Sequence, residues 1–326
     1  MIEAYPRIRL VDSDAGDARL LVRDVVRIVF YLPHDHVELG AGVEQALTLY
    51  RHAVGDMLTR AWDSDGESFP LTEAGWGEVQ ASLRPSASFR FIEELAEDSD
   101  SFQRMTRLQA ECSWTLTGDD FDGYSLRYLA RLPSKTPLEG SVSVLSATLP
   151  TEYLELHGPG RVRELAMSLA SVLPLASGHA GLALELAGVR RKILPLVREE
   201  LRRYPGVDVP RVDAHLSVGA RVEGVHWLNF LGTSLLQSVG GSEALRGRLQ
   251  SSGSTVQEVG ALGAAVVTLG PGPEAGDLSN GGDLPAYREL ARVLEPVLEP
   301  FMPGYALAWR GFSEDEVHDW WRRFLD

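Results

Sequence analysis

Cysteine is almost missing from this chain. Cys112 stands alone among 326 residues, which excludes an intrachain disulfide and any cysteine-based metal cluster. Flanked by Ala110, Glu111, Ser113 and Trp114, it reads as a small buried residue of a strand. Basic residues are also in short supply: 31 Lys and Arg face 46 Asp and Glu, a formal net charge of −15. Phosphate binding relies on clustered Lys and Arg, so this balance argues against nucleic acid as a direct partner. It permits a basic protein partner, because a surplus of one sign steers an oppositely charged surface toward encounter. No apolar run approaches the roughly 20 residues that a bilayer span needs. The opening "MIEAYPRIRLVDSDAGD" lacks the basic start and apolar core of a signal peptide. A cytoplasmic protein with no membrane partner is expected.

Catalytic motifs are missing too. The chain holds no H-E-x-x-H, P-loop, nucleophile elbow or dinucleotide fingerprint. His34 and His36 in "YLPHDHVELG" form an H-x-H pair, which presents both rings on one face when it lies on a strand. A metal site needs a further convergent ligand and the sequence names none. The plainer reading is a helix start with Asp35 or His36 near the N-cap. Asp119, Asp120 and Asp122 in "GDDFDG" are dense enough to suggest a cation site, yet the EF-hand spacing to a terminal Glu fails. They serve equally as turn residues between two strands. Residues 270–291, "GPGPEAGDLSNGGDLPAYRELA", look like a nucleotide loop at first sight. Their glycines are not spaced to wrap phosphate and no Lys follows. Asp283 is instead expected to cap a helix beginning near Pro285, with Asp277 and Asn280 holding the loop closed. No cofactor or metal is expected.

What is present is 44% hydrophobic and 24% charged residues, the profile of a soluble globular protein long enough to bury a sizeable core. "ARLLVRDVVRIVFYL" reads as a strand or hairpin. Val43, Ala46, Leu47, Tyr50 and Val54 mark a core-facing helix. "AECSWTLTGDDFDGYSLRYLARLP" reads as a hairpin turning at "GDDFDG". Strand patterns at "GSVSVLSATLP" and "GHAGLALEL" alternate with helical ones, the last capped by Ser313 and Glu316. Trp227, Phe230 and Leu231 are spaced as core residues on one helical face. The fold class is therefore α+β, mixed or antiparallel sheets packed with helices in two closely docked halves. The chain reads as a single unit over 1–326, and a subdivision at 1–138 and 139–326 is compatible with it.

Four pieces in order carry a resemblance: "RIVFYLPHDH", "TLPTEYLELHGPGRVRELAMSLASVLPLASGHAGLALE", "GVHWLNFLGTSLLQSVGGSEALRGRL" and "LGPGPEAGDLSNGGDLPAYRELARVLEP". In them the chain resembles the DUF3396 family, also described as type VI immunity proteins. The G-x-x-W-L-x-F-L-G stretch, the following G-G-x-x-x-L and the P-x-x-G-D loop are its most specific parts. The resemblance implies a binding protein that neutralises a cognate toxin or effector by occluding it, with no catalysis of its own. It carries over no site residues. An acidic surface suits a basic toxin, so the short acidic runs at 96–101 and 118–123 are candidate partner contacts: Asp98, Asp100, Asp119, Asp120 and Asp122. Two other classes compete. One is a metal-dependent hydrolase using His34, His36 and the Asp119–Asp122 cluster, which bound metal would reveal. The other is a structural component of a secretion or defence assembly, which would co-purify with several proteins.

Overall fold

A 14-residue strand, Arg19–Leu32, forms the axis of the molecule. Its Val, Ile, Leu and aromatic side chains suit a strand covered on both faces. The computed structural model describes residues 5–12, 19–63, 66–84, 113–131, 140–187, 190–211 and 214–326. Asp98, Asp100 and Cys112 lie outside the described residues. The strands are β1 Leu10–Asp12, β2 Arg19–Leu32, β3 Arg60–Trp62, β4 Ser68–Pro70, β5 Ser113–Thr117, β6 Ser125–Leu129, β7 Ser143–Pro150, β8 Ser177–Leu186, β9 Leu228–Leu231, β10 Ser254–Val259 and β11 Ala264–Leu269. They join one sheet in the order β10-β11-β9-β8-β2-β7-β6-β5-β3-β4, with β1 beside the start of β2. Every pairing between these strands is antiparallel.

The helices are α1 His36–Val54, α2 Glu73–Leu83, α3 Thr151–Ser171, α4 Arg190–Ile193, α5 Arg198–Arg203, α6 Thr233–Ser238, α7 Gly241–Arg248, α8 Pro285–Leu294 and α9 Glu314–Arg322. The α+β class is thus as the sequence suggests, with the sheet wholly antiparallel. Strand β2 comes from before residue 138, yet it pairs with β7 and β8 from after it. The sheet gives no evidence of two halves. Helix α3 bends at Gly158, whose φ of 78° lies outside the helical region, just before Pro159. Among the described residues no helix is long and apolar enough to cross a membrane.

Alternation along β2 divides the interior. Val26, Ile28, Phe30 and Leu32 join Leu39, Val43, Ala46, Leu47 and Tyr50 of α1, with Val162, Leu165 and Leu169 of α3, in the main core. Val29 and Tyr31 point the other way, into a small cluster with Val142, Ala214 and Val218. Trp227, Phe230 and Leu231 are all at most 1% exposed, as their composition requires. Their spacing misleads, however: Leu228–Leu231 is a strand and not a helix. A short apolar run buried on both faces has no period to tell the two apart. The 270–284 loop departs from expectation in one residue. Asp277 accepts from Ser279 N and Asn280 Nδ2 as expected, and also pairs with Arg203. Asp283 does not cap α8. The N-cap is Leu284, and the Asp283 carboxylate accepts from Arg288 Nε at 2.8 Å, one turn into the helix.

Candidate functional site

The face of the sheet away from α1 and α3 has two zones. Over β2, β8 and β9 it is closed by residues 205–211, 214–226 and 296–326, and a cluster of charges is buried there. Arg27 Nη1 lies 3.5 Å from Asp208 and 3.9 Å from Glu223. Tyr31 donates its hydroxyl hydrogen to Glu223. Arg211 Nη2 donates to Glu299 at 2.7 Å, and Glu299 also accepts from Ser217 Oγ at 2.8 Å and Tyr305 Oη at 2.6 Å. Arg323 Nη2 stands 3.7 Å from Asp208. Three guanidinium groups therefore meet three carboxylates. Each charge removed from water needs such a partner, since an unpaired one costs several kcal/mol. The guanidinium of Arg211 also lies 4.3 Å from the ring of Tyr305, over its face.

Two histidines complete the cluster. His179 on β8 and His226 ahead of β9 stack with ring centroids 3.7 Å apart and planes at 11°. Burial pushes the His179 imidazole well below its ordinary value and that of His226 down to about 4, so both are neutral at pH 7. His179, Asp208 and His226 form the group of described residues whose ligand atoms come within 4.8 Å of one another, as a metal ion would need. The geometry does not suit an ion. Lone pairs of stacked imidazoles lie in parallel planes and do not converge on one point. Arg27 and Arg323 already neutralise Asp208, and a dication would have to displace them. The adjoining cavity, about 40 Å³, admits a water molecule or so and no substrate. This cluster ties the described segments 205–211, 214–226 and 296–326 to the sheet and to one another.

Over β5, β6 and β7 the same face is open. Alternation leaves Thr115, Thr117, Ser125, Arg127, Ser146 and Thr148 as the floor of a groove of about 310 Å³. Pro210, Arg211, Ala214 and His215 wall one side, and Glu185 and Leu186 of β8 close one end. Their partners on the opposite face, Trp114, Leu116, Leu126, Tyr128, Leu145 and Ala147, are buried in the core. A sheet buried on one side and polar on the other is what strict alternation produces.

The sequence candidates are placed as follows. The "GDDFDG" turn joins β5 to β6, and Asp120 and Phe121 take left-handed φ values of 51° and 59°, which Asp tolerates better than most residues. Asp119 accepts from Thr59 Oγ1 at 2.7 Å, and Asp122 accepts from Tyr124 N at 2.9 Å. Asp119 and Asp120 are exposed while Asp122 is half-buried. Burial raises the Asp122 carboxyl above its ordinary value. His34 and His36 do not share a site. His34 Nδ1 lies 3.2 Å from Glu38, and His36 is buried with its Nδ1 3.1 Å from Tyr128 Oη. Asp35 is the N-cap of α1, in a capping box with Glu38. The hydrolase constellation of His34, His36, Asp119, Asp120 and Asp122 is not assembled.

Sequence reasoning missed Arg27, Glu185, Asp208 and Glu223. A signal was there for two of them. Arg27 interrupts the apolar run Val25–Leu32 of β2, and Glu185 the apolar end of β8; buried charges at such positions are rare unless they have a role. Asp208 and Glu223 lie in irregular segments, where an acid stands out from nothing.

The face thus combines a closed, mutually neutralised cluster with an open polar groove. The comparisons define the class. A family model matches residues 42–324, and its description is TsiV, type VI immunity for VRR-NUC. The chain belongs to this family and is a type VI immunity protein. That agrees with the expected class, although the DUF3396 label is not the one the match bears. Among solved structures it is similar to the Pseudomonas aeruginosa T6SS protein PA0821, with a TM-score of 0.72 at 18% identity. The likeness covers 98% of this chain and 88% of that one, and at that identity it speaks to the fold alone. No curated protein matches the chain.

Proposed function

We propose that this protein binds a cognate VRR-NUC nuclease effector and neutralises it by occlusion, with no catalysis of its own and no cofactor. The observation that carries the reading is the family match over residues 42–324. Physical chemistry supports it. A nuclease must present cations to bind phosphate, and a chain of net charge −15 complements such a surface. Very tight inhibition of nucleases by immunity proteins has precedent in the colicin pairs, among the tightest complexes known. Among the described residues, the convergent charges of the closed zone neutralise one another: Arg27 and Arg323 with Asp208, and Arg211 with Glu299 and Glu223. The exposed Asp119 and Asp120 at the tip of the β5–β6 hairpin are contact candidates, with Asp122 behind them. Asp98 and Asp100 are proposed for the same role on charge alone. A nuclease that attacks DNA places the encounter in the cytoplasm.

The test is co-expression. Cells producing the cognate VRR-NUC effector should die, and this protein supplied in trans should restore growth. Continued killing with both proteins soluble would remove the reading.

A further inference from the structure

The open groove holds two charges that the fold does not compensate. Glu185 closes one end of it, and its Oε2 is buried without a hydrogen-bond partner. Arg23 lies directly across from it on β2, yet the Arg23 guanidinium turns away and donates to Glu152 at 2.9 Å. Asp122 in the β5–β6 turn and Tyr50 of α1 lie close enough to feel its charge. Burial first, and then Asp122, push the Glu185 carboxyl up to about 7, with Arg23 opposing. A buried carboxylate with no partner costs free energy and gives the free fold nothing in return. The second charge is Arg127 on β6. It is exposed on the groove floor and has no ion pair among the described residues.

Register fixes how far apart these charges stand. Arg127 is across from Ser146, and Ser146 from Val29. Glu185 is across from Arg23, six residues back along β2, or roughly 20 Å at the usual rise of a strand, and it lies three strands over from Arg127, about 14 Å across the sheet. The hydroxyls of Ser146 and Thr148 on β7 floor the groove between. A polar channel with an uncompensated anion at one end and an uncompensated cation farther along suits an extended loop with the opposite order of charges.

We propose that this groove seats a loop of the cognate nuclease, which brings a basic side chain to Glu185 and a carboxylate to Arg127. The proposal rests on the immunity reading above and names the face that performs it. A basic group is what a phosphate-binding protein has to offer, and an ion pair formed in this enclosed setting is stronger than one at an open surface.

The experiment uses the cognate VRR-NUC effector with its nuclease centre inactivated, and three full-length proteins: wild type, Glu185→Gln and Arg127→Gln. Wild type that does not bind the effector overturns the immunity reading itself. Given wild-type binding, each variant should lose affinity by about tenfold or more. Free Glu185→Gln should also melt a few degrees above wild type at pH 8, because the uncompensated carboxylate is gone. Gain of stability with loss of affinity is what a purely structural Glu185 would not show. Wild-type affinity in both variants overturns the groove alone, and so does a Glu185→Gln that loses stability together with affinity. Should Glu185→Gln fail to fold, Arg127→Gln decides by itself: its side chain is exposed, and wild-type affinity there ends the proposal.

Discussion

Trp227 is 1% exposed and its indole nitrogen donates to the Gly270 carbonyl at 3.3 Å. Removing that ring should cost roughly 3–5 kcal/mol by lost transfer and cavity formation. Chemical denaturation of Trp227→Ala reads this directly, and a loss below about 1 kcal/mol would mean the core can close over the gap. Glu299 is a sharper case. It is 2% exposed and accepts from Arg211, Ser217 and Tyr305. Glu299→Ala leaves the Arg211 guanidinium buried with less to hold it, a loss of about 3–5 kcal/mol. Replacement that left the midpoint unchanged would show that Glu223, at 3.8 Å, suffices. These residues also show where reading the chain stops. Trp227 was recognisable as core from its type. Glu299, in "EPVLEPFM", looks like any surface acid, because two of its three partners, Ser217 and Arg211, are 82 and 88 residues away in sequence.

At the scale of elements, the stacked histidines of β8 and the approach to β9 make stability depend on pH. Both imidazoles are held below their ordinary value of 6.5 by burial, His226 to about 4. The unfolded chain binds protons below about 6.5 that the native one refuses, so stability is full above that pH and falls as pH drops toward 4. Glu185 works the other way. Its carboxyl rises from 4.5 to about 7, so it favours the native state below about 4.5 and loses that contribution as pH rises through 7. The two effects overlap in wild type. In Glu185→Gln that opposing carboxyl is gone, and His226 by itself should remove about 3 kcal/mol between pH 6.5 and 4. A flat stability profile across that window in the variant would contradict buried neutral histidines. Long elements were the most legible in the sequence: α1, β2, β7, β8 and the β5–β6 hairpin follow from period and turn chemistry alone. The N-cap of α8 was not, because Asp283 has a stronger partner in Arg288 than the helix end offers. Strand β9 was misread, since burial on both faces erases the alternation that identifies a strand.

For the whole molecule, an antiparallel sheet pairing β2 with strands from both ends of the chain makes one surface of segments distant in sequence. Arg127, Glu185 and Arg211 line one groove although no local motif links them, and the groove was invisible for that reason. The acidic hairpin was visible because its three acids fall within the four residues 119–122. Its role is testable by rate. Changing Asp119, Asp120 and Asp122 together to Asn should slow association with the effector, and the deficit should shrink as salt screens the remaining field. Wild-type rates at low salt would exclude these three residues from steering.

The central claim is that this chain silences a VRR-NUC nuclease by covering it. The most direct measurement is DNA cleavage by the purified cognate effector, titrated with this protein at a fixed, low enzyme concentration. Occlusion by a tight one-to-one complex predicts activity falling linearly to the baseline at equivalence. Cleavage that persists undiminished at a large molar excess of folded protein would contradict it.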